Sequence, residues 1–489
     1  MRLLKIPLLL ILLNILPLGC QHNSSIEGLW ISEITSRFEP GADKAALLVK
    51  RDSTQILRAR GFFLKNNELV MEWEFSNVQY DTFANRISFI DSDSDTIIFN
   101  LDADDGILKL EDEAEKPLNF VRADKNLGIR LFYPRIPDKN GKITYSCKKP
   151  EQVNDGLKTE SIYRYSTDSS SISNLMKEII DQKYGRIKSL LILKDNKLLV
   201  EEYFYGYNRN DLQQIRSCTK SVTSLLFGIA LDHHKDINIE QPVFSFFPEF
   251  NSLKSGEREE IKLKNLLTMT AGLEWNDYPV EMYKSDDCFQ YILSRPMVGK
   301  PGERFKYNSG CAVLLGGIIQ FLEAKKPLPF AKDFLFAPMG ITNYTWESHK
   351  NDRLRCGEGL SLRPRDMAKI GLLVLNDGKW QDIQIVSKEW IRESTKPHVQ
   401  ESKFFNYGYQ WWHHSKNNLQ WWKEPNTTSP KEHNLIIALG YGGQYIMIIR
   451  DLDLVIVTTA SDFESGTMAR SKIPMVIEEI VPLFEDSDL

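Results

Sequence analysis

The 489-residue chain has no basic arm and no arginine-rich stretch, and its formal net charge is -5. That leaves nucleic-acid binding without its usual electrostatic basis, a cluster of Lys and Arg on one face. Cysteine is scarce and irregularly spaced: Cys20, Cys147, Cys218, Cys288, Cys311 and Cys356 are the full set of 6. With Cys20 set aside for the reason given below, an odd and scattered group remains. Such a group is not a disulfide framework, even in an oxidising compartment, and the expectation is buried free thiols. Beyond residue 20 no stretch approaches the ~18 apolar residues that a membrane span needs. No internal repeat is visible.

What the chain does have is length and apolar bulk. At about 150 residues per domain the length suggests roughly three domains, and two globular domains is the safer reading. Apolar residues make up 42% and there are 10 Trp, enough for large cores. The chain opens MRLLKIPLLLILLNILPLGC, with Arg2 and Lys5 ahead of an apolar stretch that Asn14 interrupts. Charge and length mark a secretory signal rather than a stable span. Its ending, LPLGC, resembles a bacterial lipoprotein signal, in which the cysteine is lipidated and becomes the new N-terminus. Pro17 departs from the leucine usual there. The expectation is an extracytoplasmic protein held at the membrane by a lipid on Cys20; an uncleaved anchor or simple secretion are the alternatives.

Residues 25–125 alternate apolar and polar at short range, as in LVMEWEF, RISFI and TIIFNL, and read as strands of a small antiparallel sandwich or barrel. Asp91, Asp93, Asp95 and Asp102 sit near the positions of a calcium loop. Thr96, however, stands where such a loop needs glycine, and the flanks are strands, so a solvated turn is the better reading. Residues 126–170 are rich in Pro, Lys, Asp and Ser and read as a connector. From 171 the rhythm changes. SISNLMKEIIDQKY reads as a helix, and KSLLILKD and KLLVEEYF as strands joined through Asn196. Helical spacing dominates from Ser217 to about residue 395. Strands then return (YGYQWW, NLIIALG, GQYIMIIR, LVIVTTA) before a closing helix, ARSKIPMVIEEIVPLF. Strands at both ends of a helical middle predict one sheet built from both ends, carrying a helical insertion.

The stretch RSCTKSVTS, residues 216–224, carries the chemistry. Ser217 and Lys220 lie three apart and share a helix face. A helix N-terminus favours an incipient alkoxide, and a lysine partly stripped of water there can take the serine proton. Alone, serine and lysine at this spacing also fit a helix cap beside a solvated lysine. Two downstream stretches add to it. PGERFKYNSGCAVLLGGII sets Tyr307 in a turn before an apolar helix. NLIIALGYGGQYIMIIR sets Gly440, Gly442 and Gly443 at a strand start, where glycine often marks close approach of a ligand.

In this order the three stretches resemble the penicillin-recognising serine hydrolases. The resemblance is to the branch similar to class C β-lactamases, with carboxylesterases, D-aminopeptidases and 6-aminohexanoate-dimer hydrolase, and it runs from about Asp155 to the C-terminus. It implies an α+β, β-lactamase-like fold: an antiparallel sheet flanked by helices, plus a helical subdomain, over 171–489. The domain at 21–125 has a lipocalin-like appearance. The resemblance further implies Ser217 as the acylated nucleophile, Lys220 as its activator and Tyr307 as the proton shuttle to the leaving group and then from water. The backbone N–H groups of Ser217 and Gln444 would form the oxyanion hole, and Ser309, Tyr441, Gly442 and Gly443 would meet the substrate. No metal or cofactor is implied; the partner is a small ester or amide.

Two departures matter. The family's Tyr-x-Asn becomes Tyr307, Asn308, Ser309, so the asparagine is displaced by one. The Lys-Thr-Gly motif becomes Tyr441, Gly442, Gly443, so the lysine that faces a substrate carboxylate is missing. Both tilt the expectation from β-lactamase or D-amino-acid peptidase toward an esterase or amidase of uncharged substrates. A non-catalytic binder or sensor that kept the fold is the competing class. Other residues read as structural: adjacent His413 and His414 point to opposite faces of a strand, and Cys218 is a buried small hydrophobe. Asp286 and Asp287 lie in a solvated loop near the substrate mouth. Trp411, Trp412, Trp421 and Trp422 divide between core packing and a cleft wall.

Overall fold

A computed structural model describes residues 26–485 apart from 34–43, 52–55, 66–67, 91–95, 103–104, 111–117, 124–144, 146, 167–168, 181, 205–206, 277–279, 416–432 and 464. Cys20, the aspartates at 91, 93 and 95, and Trp421 and Trp422 lie outside the described residues. The chain divides into two compact units, Met1–Leu131 and Phe132–Leu489.

The first unit is a closed barrel of eight strands: β1 Gly28–Glu33, β2 Lys44–Arg51, β3 Leu57–Lys65, β4 Glu68–Asp81, β5 Arg86–Ile90, β6 Thr96–Asp102, β7 Ile107–Leu110 and β8 Asn119–Arg122. Each strand pairs with its sequence neighbour, and β8 returns to β1 with Arg122 opposite Trp30. This is the small all-β domain that the alternation predicts, in its up-and-down barrel form. In β5 only Ile87 and Phe89 are fully buried, so the two-residue period aims them into the barrel. Phe75, Phe89, Phe99 and Phe120 then form a line through the core, with successive ring centroids 3.9, 5.5 and 5.3 Å apart. Trp30 is 1% exposed, its indole N–H donates to the Ile26 carbonyl, and the Arg122 guanidinium lies 4.0 Å from its ring centroid. Asp102 ends β6, pairs with Lys109 at 2.9 Å and accepts the Asp105 N–H, as an ordinary turn residue does.

The second unit is built on a sheet of nine strands. In chain order they are β9 Lys158–Thr159, β10 Ile187–Lys194, β11 Lys197–Tyr203, β12 Val399–Gln400, β13 Phe405–Tyr407, β14 Trp412–Ser415, β15 Asn434–Gly440, β16 Gln444–Ile449 and β17 Leu454–Ala460. Across the sheet the order is β12-β13-β14-β15-β16-β17-β10-β11-β9. The sheet is made from both ends of the unit: β10 pairs antiparallel with β17, Ile187 opposite Ala460 through Lys194 opposite Leu454. β10 and β11 are joined through Asp195 and Asn196, both with left-handed φ (50° and 61°), the turn that matches strand twist. One pairing departs from the antiparallel expectation: short β9 runs parallel to β11.

Between the sheet's two halves lie the main helices α1 Cys218–His233, α2 Ser309–Glu323 and α3 Pro364–Leu375. The insertion is not purely helical. Gln213–Gln214, Leu360–Leu362 and Tyr344–Trp346 form a three-stranded sheet, and Lys379–Trp380 with Ile383–Gln384 a hairpin. α1 is buried on all sides from Cys218 to Ala230, as the central helix of a unit must be. Two of its buried hydroxyls bond to main chain, Ser221 to the Gln410 carbonyl at 2.7 Å and Thr223 to those of Thr219 and Cys356, whereas those of Thr219 and Ser224 find no partner among the described residues. The expected closing helix is present as Gly466–Arg470, α4 Lys472–Met475, a wider helical turn over Val476–Ile480, and Pro482–Glu485, with Ser471 and Val481 between them also in helical backbone. Pro482 has no N–H to give, and the Val481 N–H reaches back five residues to the Val476 carbonyl.

Candidate active site

Ser217 is the residue that precedes α1, in the cap position, but its side chain caps nothing. Instead Lys220 Nζ, one turn along, donates to Ser217 Oγ at 2.9 Å and to the Gly357 carbonyl at 2.6 Å. Lys220 is 1% exposed, and among the described residues no carboxylate lies within ion-pair range of it. A carbonyl can only accept, so one N–H is committed to Gly357 and the nitrogen is aimed at the serine hydroxyl. The helix period thus delivers the shared face that the spacing predicts. Gly357 itself is fixed through its neighbour Cys356, whose carbonyl accepts from Thr223 of the same helix.

Tyr307 joins them. Its ring centroid lies 4.9 Å from Lys220 Nζ, and it is half-buried against Tyr407 (6.4 Å) and Trp412 (5.6 Å). Trp412 continues into a cavity of about 290 Å³ that Phe404, Phe405, Leu439 and Arg470 also line. Trp412 thus faces a cavity, whereas Trp411, 0% exposed, is core. The displaced asparagine has a local cause. Asn308 caps α2: its Oδ1 accepts the Gly310 N–H at 2.8 Å, and the residue is 2% exposed. Ser309, half-buried, packs beside the lysine's carbonyl partner; a Cβ placed on Gly357 would lie 3.2 Å from Ser309 Cβ.

The glycines of the third stretch need a correction. Gly440 ends β15, and residues 441–443 form the turn to β16 rather than the start of a strand. Gly442 and Gly443 have φ of 82° and 93°, and a Cβ on them would strike Phe463 at 2.3 Å and Ala460 at 2.9 Å. The protein's own side chains crowd both positions. The approach to the serine is made by Gly440, where a Cβ would come within 2.3 Å of the Ile215 carbonyl oxygen and 3.2 Å of Arg216 Cβ. Tyr441 is exposed, and its hydroxyl donates to the Phe463 carbonyl, so that hydroxyl is already engaged. Gln444 is 2% exposed, with its side chain bonded to the Ala460 carbonyl at 2.6 Å and its own carbonyl accepting from the Cys218 thiol at 3.3 Å. The side chain that sequence reasoning discounts thus ties β16 to the end of β17. Burial pushes the Cys218 thiol far above its usual range, as it does less strongly for Cys311 and Cys356, each raised to about 12. Cys147, Cys218, Cys288, Cys311 and Cys356 are all buried, and none of them is in a disulfide.

Three features escape the sequence reading. Arg216 has a left-handed φ of 51°, a strained setting for a non-glycine residue, directly before the serine. Its guanidinium lies 5.1 Å from the centre of the Phe463 ring. Behind the glycine turn, Lys472 of α4 pairs with Asp462, both buried. Burial pulls the Lys472 ammonium down to about 8, against the pull of that carboxylate. Asp462 also gives its N–H to the Gly442 carbonyl at 3.0 Å and takes the Arg186 N–H at 2.8 Å, so one residue buckles turn, strand and helix together. A lysine inside the apolar run KIPMV is the signal that could have revealed it. The remaining candidates are structural. Asp287 caps the helix Cys288–Leu293, and Asp286 is exposed and pairs with Lys350. Burial pulls both His413 and His414 down to about 4.

A family model described as Beta-lactamase matches residues 177–477. Protein flp of Staphylococcus aureus (strain MRSA252) is 26% identical over 182 residues, 33% of this chain and 35% of that protein. The matched stretch therefore spans about a third of that relative's length. The 6-aminohexanoate-dimer hydrolase of Paenarthrobacter ureafaciens is 22% identical over 300 residues, 56% of this chain and 72% of that enzyme. A mutant class C β-lactamase superposes on 64% of this chain and 96% of its own with a TM-score of 0.51 at 13% identity, a likeness of fold. With the sheet closed by strands from both ends, the serine and lysine on one helix turn, and the match covering 177–477, the chain belongs to the β-lactamase family.

Proposed function

We propose that the second unit is a serine hydrolase that cleaves an ester or amide bond through an acyl-enzyme on Ser217. The observation that carries this is the buried Lys220, bridging Ser217 Oγ at 2.9 Å and the Gly357 carbonyl at 2.6 Å. A lysine held out of water with no carboxylate beside it is costly to keep unless it does chemistry. In the proposed sequence Ser217 Oγ attacks the substrate carbonyl while its proton passes to Lys220 Nζ. Tyr307 delivers a proton to the departing oxygen or nitrogen as that bond breaks. Water then attacks the acyl-serine, loses its proton to the same pair, and the acid leaves as Ser217 regains its hydrogen. The developing oxyanion is bound by the backbone N–H groups of Ser217 and Gln444. Such donors are worth about 3 kcal/mol each in the transition state.

Ester or amide is preferred to β-lactam for two reasons. Asn308 is committed as a helix cap, so Ser309 stands where the family's asparagine would, and the Tyr441 hydroxyl is bonded to Phe463. The amide hydrolase named above adds support for the amide arm. Ser217→Ala is expected to abolish fluorophosphonate labelling and to lower ester hydrolysis by about 10³-fold or more. Unchanged labelling and turnover would end this reading, and a native protein that forms no adduct at Ser217 and turns over no substrate would favour the binder reading. A panel of short-chain esters, D-amino-acid amides and nitrocefin ranks the substrates. For location we propose lipid attachment at Cys20. Radiolabelled palmitate should enter the native chain and not Cys20→Ser; equal labelling of both rejects the anchor.

A further inference from the structure

Arg216 is a cation without an anion. Among the described residues its guanidinium makes no ion pair and no hydrogen bond, and its Nε is buried with no partner. Arg216 is half-buried, and stripping water from part of a charged group is costly unless something replaces it. What it has is a ring: the guanidinium carbon lies over Phe463, 5.1 Å from the centroid. Stacking by a planar guanidinium uses its face and leaves the N–H donors in its plane, the geometry that grips a carboxylate with two parallel bonds.

Its location is specific. Arg216 is the residue before Ser217, and its left-handed φ of 51° turns its side chain away from the path of α1. Gly440 lacks a Cβ just where Arg216 Cβ passes, 3.2 Å from where one would stand. Phe463 packs beneath the turn: a Cβ on Gly442 would lie 2.3 Å from it, and its carbonyl takes the Tyr441 hydroxyl. The guanidinium is thus held between the serine turn and the hairpin turn, on a ring shared by both. At Tyr441 the family's lysine, and its positive charge, is missing.

We propose that Arg216 is a specificity residue that binds a carboxylate on the substrate, so that the preferred ester or amide is anionic rather than uncharged. The inference rests on the reading of Ser217 as the acylated residue. It replaces the expectation, drawn from Tyr441 alone, that no cation serves this side of the site. The charge comes from the nucleophile's own turn instead of from the hairpin.

The test uses two matched pairs of substrates with the full chain. In one the carboxylate is in the acyl part, p-nitrophenyl hydrogen glutarate against p-nitrophenyl valerate. In the other it is in the leaving part, 4-carboxyphenyl butyrate against phenyl butyrate. The native protein should favour the anionic member of at least one pair in kcat/KM. Arg216→Gln should cut that ratio by about 10- to 100-fold, the range of a charge-assisted bond, mainly through KM. Arg216→Lys should keep most of the ratio. No preference in either pair, or a ratio that Arg216→Gln leaves intact, overturns the proposal. If the native protein cleaves none of the four, the hydrolase reading has failed, and binding decides this one separately. Calorimetry on Ser217→Ala should then find monoethyl glutarate at least 10-fold tighter than diethyl glutarate, with the difference lost in the double variant with Arg216→Gln. Equal binding of the two overturns the carboxylate site.

Discussion

Lys220 and His414 are both about 1% exposed, yet they differ in what surrounds them. Lys220 has a hydroxyl and a carbonyl within bonding distance, whereas both ring nitrogens of His414 lack a hydrogen-bond partner among the described residues. Burial therefore holds the His414 imidazole neutral, its pKa lowered from 6.5 to about 4. The sign of the consequence follows from proton binding. Between pH 6.5 and 4 the unfolded chain takes up a proton at this residue that the folded chain refuses, so stability is full above 6.5 and falls as pH drops toward 4. The loss is up to about 3 kcal/mol. His414→Phe should flatten the dependence of the unfolding midpoint on pH across this window, and an identical slope in both proteins would refute the assignment. At this scale the sequence was legible where chemistry repeats a spacing. Ser217, Lys220 and Tyr307 could be picked out, and they meet. Arg216 and the buried pair of Asp462 and Lys472 could not, because a left-handed φ and a contact between distant elements leave no periodic trace.

Elements were legible by period and less so by their ends. The two-residue alternation of RISFI and TIIFNL predicts barrel strands, and Ile87, Phe89, Phe99 and Leu101 do point inward. Which of sandwich or barrel forms depends on whether the last strand finds the first, and only the pairing of Trp30 with Arg122 decides that. Trp30 fills the core at this seam, with its N–H on the Ile26 carbonyl and Arg122 stacked on its face. Trp30→Ala should cost the barrel about 3–5 kcal/mol, the range for removing a buried large aromatic ring. Chemical unfolding of the full chain, followed by amide exchange at β1 and β8, checks it; unchanged protection there would count against the seam. The closing helix was legible from an apolar face that continues at helical spacing through residues 469–484, but the widened turn ahead of Pro482, which has no N–H to give, was not. Asn308 shows the same limit at a helix start. Beside Tyr307 its position invites comparison with a catalytic asparagine, but the helix behind it needs an N-cap, and the cap takes it.

For the whole molecule the informative pattern was strands at both ends of a helical middle, and the seam between β10 and β17 is its physical form. Those strands are separated by the entire insertion, so the sheet that carries the hairpin turn is complete only once β17 is present. β17 is buried at all seven positions. A chain ending at Asp453 would leave one ladder of β10 open and the adjoining face of β16 uncovered. It should therefore be recovered in inclusion bodies, and a soluble monomer with native near-ultraviolet dichroism would contradict this. So distant a pairing also predicts slow folding relative to a helical domain of the same size. The borders of the two sheets have a different bearing, on crowding. The barrel closes on itself, and the nine-stranded sheet ends in Lys158–Thr159 on one side and Val399–Gln400 on the other, two residues each. Strand-by-strand addition of a second chain needs a long unpaired border as template. The closed barrel offers none among the described residues, so copies gathered at high density have little to zip onto there, whereas β9 runs beside only Lys197 and Leu198 of β11, and any edge pairing would start beyond them.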